Sequence, residues 1–145
     1  MRRLRRVAAW GAVAGAGLLG VLQLFPAERS NPPVVWEVDC PAPVRGILER
    51  VCFDCHSHET RWPWYSRVAP VSWWVAGHVE DARADLNFSD WPAFDLEAQA
   101  LARRSIEQQV EEDRMPLRSY RLMHRRARLS AAEREVLLRW ARSGG

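Results

Sequence analysis

The chain has 145 residues, 21 of them basic and 18 acidic, for a formal net charge of +3. The basic residues are all arginine and four of them (Arg2, Arg3, Arg5, Arg6) precede an apolar stretch, so residues 28–145 carry 17 Arg against 18 Asp and Glu. The basic pI is therefore no sign of a nucleic-acid partner, and no Arg run is interleaved with aromatics as a binding groove requires.

Residues 7–25 run without a charge, and Gln23 is the only strongly polar member. As a helix the segment would span about 28 Å at ~1.5 Å per residue, close to the ~30 Å of a hydrocarbon core. A transmembrane anchor over 7–25 is expected, with residues 1–6 as a cytoplasmic basic tail. The rest would then be exported, placing the protein in the cytoplasmic membrane as a single-pass chain with its C-terminal domain periplasmic or extracellular. A cleaved signal peptide shares this order, but Phe25, Pro26 and Ala27 lack the small-x-small pattern of a cleavage site. Gly11 and Gly15 form a Gly-x-x-x-Gly pair, read here as lipid-facing small residues in an Ala- and Gly-rich segment.

Pro26, Pro32, Pro33, Pro41 and Pro43 mark an extended, stiff linker over residues 26–41. Within it Val34, Val35 and Trp36 are apolar enough to pack on the domain surface. Cys40 is expected to stay unpaired. A folded domain over residues 42–145 follows, about 100 residues and so a single domain with a modest core. No alternating strand pattern is visible, and the expected fold is all-α.

The first helix of this domain is predicted over residues 43–51, where Val44, Ile47, Leu48 and Val51 share one face. It leads into Cys52, Phe53, Asp54, Cys55 and His56, a Cys-x-x-Cys-His motif and the attachment site of a c-type haem. Two thiols three residues apart on a tight turn can both add to the vinyl groups of one porphyrin. The next residue then falls beneath the iron, so His56 is the expected proximal metal ligand. Other readings are weaker. A structural zinc site needs four ligands; Cys52, Cys55, His56 and His58 crowd a single turn, although His78 or His124 could complete a set. A thioredoxin-like pair needs a βαβ context. An iron–sulfur cluster needs four thiolates, and the chain has 3 cysteines.

Arg61, Trp62, Trp64 and Tyr65 come next. Arg61 and the indole N–H groups are candidate partners for haem propionates, whereas Trp64 and the Trp73–Trp74 pair also suit aromatic packing. The second helix is predicted over residues 72–86, with Ser72 as N-cap and Trp74, Val75, His78, Val79 and Ala82 on one face. The third runs from an Asp95 N-cap to Glu112, with Ala102, Ile106 and Val110 in a stripe. The fourth starts at Ser130, where Glu133 completes a capping box. Val136, Leu137 and Trp140 form its apolar face, and Gly144 lies near its end. This order is the layout of a small single-haem cytochrome c.

Four residues are candidates for the distal side of the iron. Met115 follows the third helix and precedes Pro116, which restricts the chain there, and His/Met is an established haem ligand pair. His78 is the alternative. His58 is too near His56 to reach the opposite face, and Arg121, Arg125 and Arg126 make His124 a surface or capping residue.

Across nearly all of residues 31–142 the chain resembles the bacterial haem-binding domain family, small exported proteins related to cytochromes c. The matching stretches begin with Asn31-Pro32-Pro33-Val34, Cys52-Phe53-Asp54-Cys55-His56-Ser57 and Glu59-Thr60-Arg61-Trp62-Pro63-Trp64-Tyr65-Ser66. They continue as Pro70-Val71-Ser72-Trp73-Trp74-Val75, His78-Val79, Leu86-Asn87-Phe88-Ser89-Asp90-Trp91, Met115-Pro116, Tyr120, His124 and Leu129-Ser130. The resemblance implies haem c at Cys52, Cys55 and His56 behind an N-terminal membrane segment. It leaves the distal ligand and the physiological role open.

The expected protein is thus a membrane-tethered module with one covalent haem c, held by His56 and Met115 and used for electron transfer with a partner protein that the sequence does not name. A six-coordinate iron leaves no site for substrate. The alternatives are a sensor or small-ligand binder with an open or labile distal site, and an enzyme such as a peroxidase. The enzyme would need acid–base groups beside an open iron, and nothing in the sequence fixes His78 or His124 there.

Overall fold

The computed structural model describes residues 2–34 and 36–143, so Val35 and Gly144, given a packing and a helix-end role above, lie outside the described residues. Every regular element among them is helical, as expected: α1 (Arg2–Leu22), α2 (Ala42–Val51), α3 (Phe53–His56), α4 (Val71–Asp85), α5 (Leu96–Glu111), α6 (Arg118–Met123) and α7 (Ala131–Arg142). Short 3-10 turns lie at Trp64–Arg67, Phe88–Ala93 and Arg125–Ala127. The chain forms two compact units, one of Met1–Arg29 with Trp62–His78 and one of Ser30–Arg61 with Val79–Gly145.

In the first unit the expected transmembrane anchor is not found. No helix among the described residues is long and apolar enough to cross a membrane, which also overturns the single-pass placement drawn from it. α1 stops at Leu22 and begins among arginines. Its uncharged part, residues 7–22, spans only about 24 Å at ~1.5 Å per residue, and Ala and Gly fill most of it. Gln23 ends the helix for a tertiary reason. Its Nε2 donates to the Ala69 carbonyl at 3.2 Å and its Oε1 accepts the Ala69 N–H at 3.0 Å. Just beyond, the Trp73 indole donates to the Phe25 carbonyl at 2.6 Å, and Arg29 donates to the Ser66 carbonyl at 2.8 Å. The polar residue that the apolar run seemed to tolerate is the one that ties its end to the chain.

The second unit holds the core. All four residues predicted for the inner face of α2 are buried, and they meet Phe53, Phe88, Trp91, Ile106, Val110, Leu137 and Trp140. α5 starts at the Asp95 cap, whose Oδ1 accepts from Ala98 N at 2.8 Å. α7 starts at the full Ser130–Glu133 capping box. α5 packs on α7. Two details differ from expectation. Ser72 lies inside the first turn of α4 and is buried, rather than capping the helix, because α4 already begins at Val71. Arg103, passed over as a polar position, is 7% exposed: its guanidinium lies 4.4 Å from the Trp140 ring centroid and 5.5 Å from that of Trp91 and donates to the Trp140 carbonyl at 3.0 Å.

Candidate haem site

α2 delivers the motif directly. Cys52 is its C-cap residue, with its N–H on the Leu48 carbonyl at 2.8 Å. The chain then closes into the single turn α3, where Cys55 N and His56 N both donate to the Cys52 carbonyl, at 3.1 and 2.9 Å. Phe53 pins this turn into the core, buried and stacked on Phe88 with ring centroids 5.4 Å apart. Ser57 ends it: fully buried, its hydroxyl donates to the Phe53 carbonyl at 2.8 Å and accepts the Glu59 N–H at 2.9 Å.

The last turn of α4 and the residue after it orient His56. Nδ1 lies 3.0 Å from both the Ala82 and the Leu86 carbonyl oxygens. Carbonyls only accept, so Nδ1 carries the proton and Nε2 keeps its lone pair. A metal-binding imidazole is held in this way, its other ring N–H donating to a fixed acceptor. Burial holds the His56 pKa below its ordinary value, which favours the neutral, metal-binding form. Arg83 fastens the same stretch of α4 to the segment after the motif. It donates to the carbonyls of Ser57 (2.8 Å) and Ser30 (3.0 Å) and to the side-chain oxygens of Thr60 (2.9 Å) and Asn31 (3.1 Å).

Both thiols are free, and burial pushes Cys52 up to about 12 and Cys55 up to about 11. Burial therefore keeps both thiols in the neutral form when the site holds no metal. Among the described residues no three His, Cys, Asp or Glu side chains group to hold a metal ion. His58 is engaged elsewhere. Asn87 Nδ2 donates to its Nε2 at 2.8 Å, the Asn87 amide being oriented by Ser89 N on Oδ1 at 3.1 Å. The proton of His58 is thereby placed on Nδ1, which is buried without a hydrogen-bond partner. An orphaned donor two residues from His56 fits an anionic group or a water brought in with a cofactor. Two thiols and a bare imidazole nitrogen on one turn fit haem, and no set of three or more His, Cys, Asp or Glu ligands gathers for zinc among the described residues.

Asp54, between the two cysteines, joins the motif to two other segments. Its Oδ1 accepts from Arg61 N (3.1 Å) and Nε (2.9 Å), and its Oδ2 accepts the Tyr120 hydroxyl at 2.5 Å. Arg61, the candidate propionate partner, is thus beside the motif but engaged by Asp54, and it also donates to the Glu49 carbonyl at 2.9 Å. A cleft of about 390 Å³ opens along this face, lined in part by Arg50, Asp54, Arg61, Tyr120 and His124. His124 stacks on Tyr120 at 4.2 Å between ring centroids.

Met115 is set by the end of α5. Asp113 takes φ 53° there, a left-handed conformation that aspartate tolerates, and the N–H groups of Arg114 and Met115 both return to the Gln109 carbonyl at 3.0 and 3.1 Å. The Met115 side chain is half-buried and lines a cleft of about 480 Å³ together with Pro116, Leu122 and Leu129. His78 lies in the other unit, its ring against Trp74 and its Nδ1 2.9 Å from the Trp74 carbonyl.

The turn thus brings together Cys52, Cys55 and His56, and Met115 belongs to the same unit. Sequence reasoning missed Arg83, Asp54, Tyr120 and the His58–Asn87 pair. One signal was available for Arg83: it lies four residues after the buried Val79 and so on the inward face of α4.

The chain belongs to the class of haem-binding proteins, as its match to a family model shows. A model of the haem-binding domain matches residues 17–143, and the chain is a member of that family, with haem as its cofactor. No curated protein and no solved structure matches it.

Proposed function

We propose that the protein holds one haem covalently through Cys52 and Cys55, with His56 and Met115 on the two faces of the iron, and that it carries electrons to or from a partner protein. Family membership supplies the haem. The proximal ligand rests on one observation, the His56 imidazole whose Nδ1–H is committed to the Ala82 and Leu86 carbonyls at 3.0 Å; the covalent link and the single copy rest on the two free thiols of the one Cys-x-x-Cys-His turn. Bound haem supplies a one-electron couple, and Met ligation raises its potential. The residues around it orient His56, keep the thiols on one rigid turn and bury that turn against Phe88. A proximal ligand on a pinned turn would limit rearrangement on that side of the site between oxidation states.

A second reading is favoured by the open cleft at Met115, which would admit a small ligand if the thioether bond to iron were labile. Carbon monoxide separates the two. A reduced protein whose visible bands stay fixed under carbon monoxide is six-coordinate and supports electron transfer, whereas a prompt shift supports ligand sensing. For the ligand itself, Met115→Ala should abolish the low-spin His/Met spectrum and His78→Ala should leave it intact. The reverse pattern would remove Met115 from the iron.

A further inference from the structure

The cleft at Met115 has a second character. Arg118, Arg121, Arg128 and Arg134 line it, and Asp113 is the single acid among its lining residues. Asp113 serves two of these arginines: Arg121 holds it in a two-point grip at 2.8 and 3.1 Å, and Arg134 reaches its Oδ1 at 3.2 Å. Arg121 and Arg134 accordingly keep the Asp113 carboxyl below the usual carboxylate range. Arg118 and Arg128 form no ion pair among the described residues. From Arg114 to Arg128 the chain carries six arginines and no acid. Four guanidinium groups gathered on one cleft repel one another, and one carboxylate offsets only part of that. The remaining wall is apolar, built from Met115, Pro116, Leu122 and Leu129. The cleft is open, with Arg118, Leu122 and Arg128 exposed, and its volume of about 480 Å³ has room for a small molecule; guanidinium forks match carboxylates with two parallel hydrogen bonds.

We propose that this cleft is a dicarboxylate site, in which Arg118 and Arg128 take the two carboxylates of a ligand whose body lies on the apolar wall. Two sources offer that chemistry: the paired propionates of the haem itself, or a free dicarboxylic acid bound beside it. The first source rests on the reading that Met115 faces the iron; the second does not.

The test uses the full chain loaded with haem, as wild type and as Arg118→Gln/Arg128→Gln. Neither arginine bears an ion pair, so the fold should survive, and the single Arg128→Gln reads the same effect if the double variant does not fold. Calorimetric titration with succinate and the pH dependence of the reduction potential are measured on both proteins. Succinate binding to the wild type that weakens about tenfold or more in the variant assigns the site to a free dicarboxylate. Wild type that ignores succinate, with a variant whose potential gains a new pH-dependent step in the carboxylate range, assigns it to the propionates. Arg118→Lys/Arg128→Lys should restore part of either effect. Absence of both effects overturns the proposal. The Met115→Ala spectrum is read separately, so loss of the ligand assignment and loss of the dicarboxylate site are distinguishable.

Discussion

As a metal ligand His56 would need a proton on one ring nitrogen and a lone pair on the other, and two carbonyls impose that choice. Ala82 and Leu86 lie one helical turn apart, so both oxygens reach one Nδ1. Arg83, placed between them, holds the stretch still through four hydrogen bonds to Ser57, Ser30, Thr60 and Asn31. Arg83→Met removes these donors and strands buried acceptors such as Thr60. It should cost about 2–4 kcal/mol in urea unfolding of the haem-loaded protein. Tyr120→Phe removes only the neutral donor to Asp54, which keeps Arg61, and should cost about 1 kcal/mol by the same measurement. A Tyr120→Phe loss as large as that of Arg83→Met would mean that the Asp54–Tyr120 bond, rather than α4, holds the motif. Arg83 had a partial signal in its position on the inward face of α4, but the Asp54–Tyr120 pairing was not legible in the sequence. Asp54 and Tyr120 are 66 residues apart, and periodicity carries no information about such pairs.

At the scale of elements, legibility follows locality. α2, α5 and α7 were readable because their apolar stripes and their caps at Asp95 and Ser130 are set within a few residues. The Cys-x-x-Cys-His turn is readable for the same reason. α1 was misjudged because its end is set by a contact with Ala69, and α4 because Ser72 is drawn inside by tertiary packing. The α7 cap carries a test with a definite sign. Ser130→Ala should cost about 1 kcal/mol. The Ser130 backbone N–H, followed by its hydroxyl and the nearby Arg50, holds the Glu133 pKa below its ordinary 4.5. A group depressed in the folded state contributes stability above its unfolded pKa and loses it as pH falls through the folded value. Glu133→Gln should therefore be less stable than wild type at neutral pH and should lose less on acidification. Denaturant unfolding at neutral and acid pH checks both halves, and parallel losses in the two proteins would remove Glu133 from the account.

For the molecule as a whole, the Cys-x-x-Cys-His turn and the core are one structure. The turn is buried through Phe53, which stacks on Phe88, and Phe88 stacks on Trp91. Trp91 and Trp140 in turn flank the Arg103 guanidinium. Leu137 lies at the centre with 0% exposure, so Leu137→Ala should destabilise the domain by about 2–5 kcal/mol, and thermal unfolding should show it. A ligand that binds only the folded state adds to its stability. Haem-free protein should melt at a lower temperature than loaded protein, and an equal melting temperature would detach the haem from the fold. The covalent link at Cys52 and Cys55 is read from the mass of the fully denatured chain. The wild type should weigh as polypeptide plus one haem, and Cys52→Ser/Cys55→Ser as polypeptide alone. A wild-type chain that releases its haem on denaturation and weighs as bare polypeptide would contradict the covalent link.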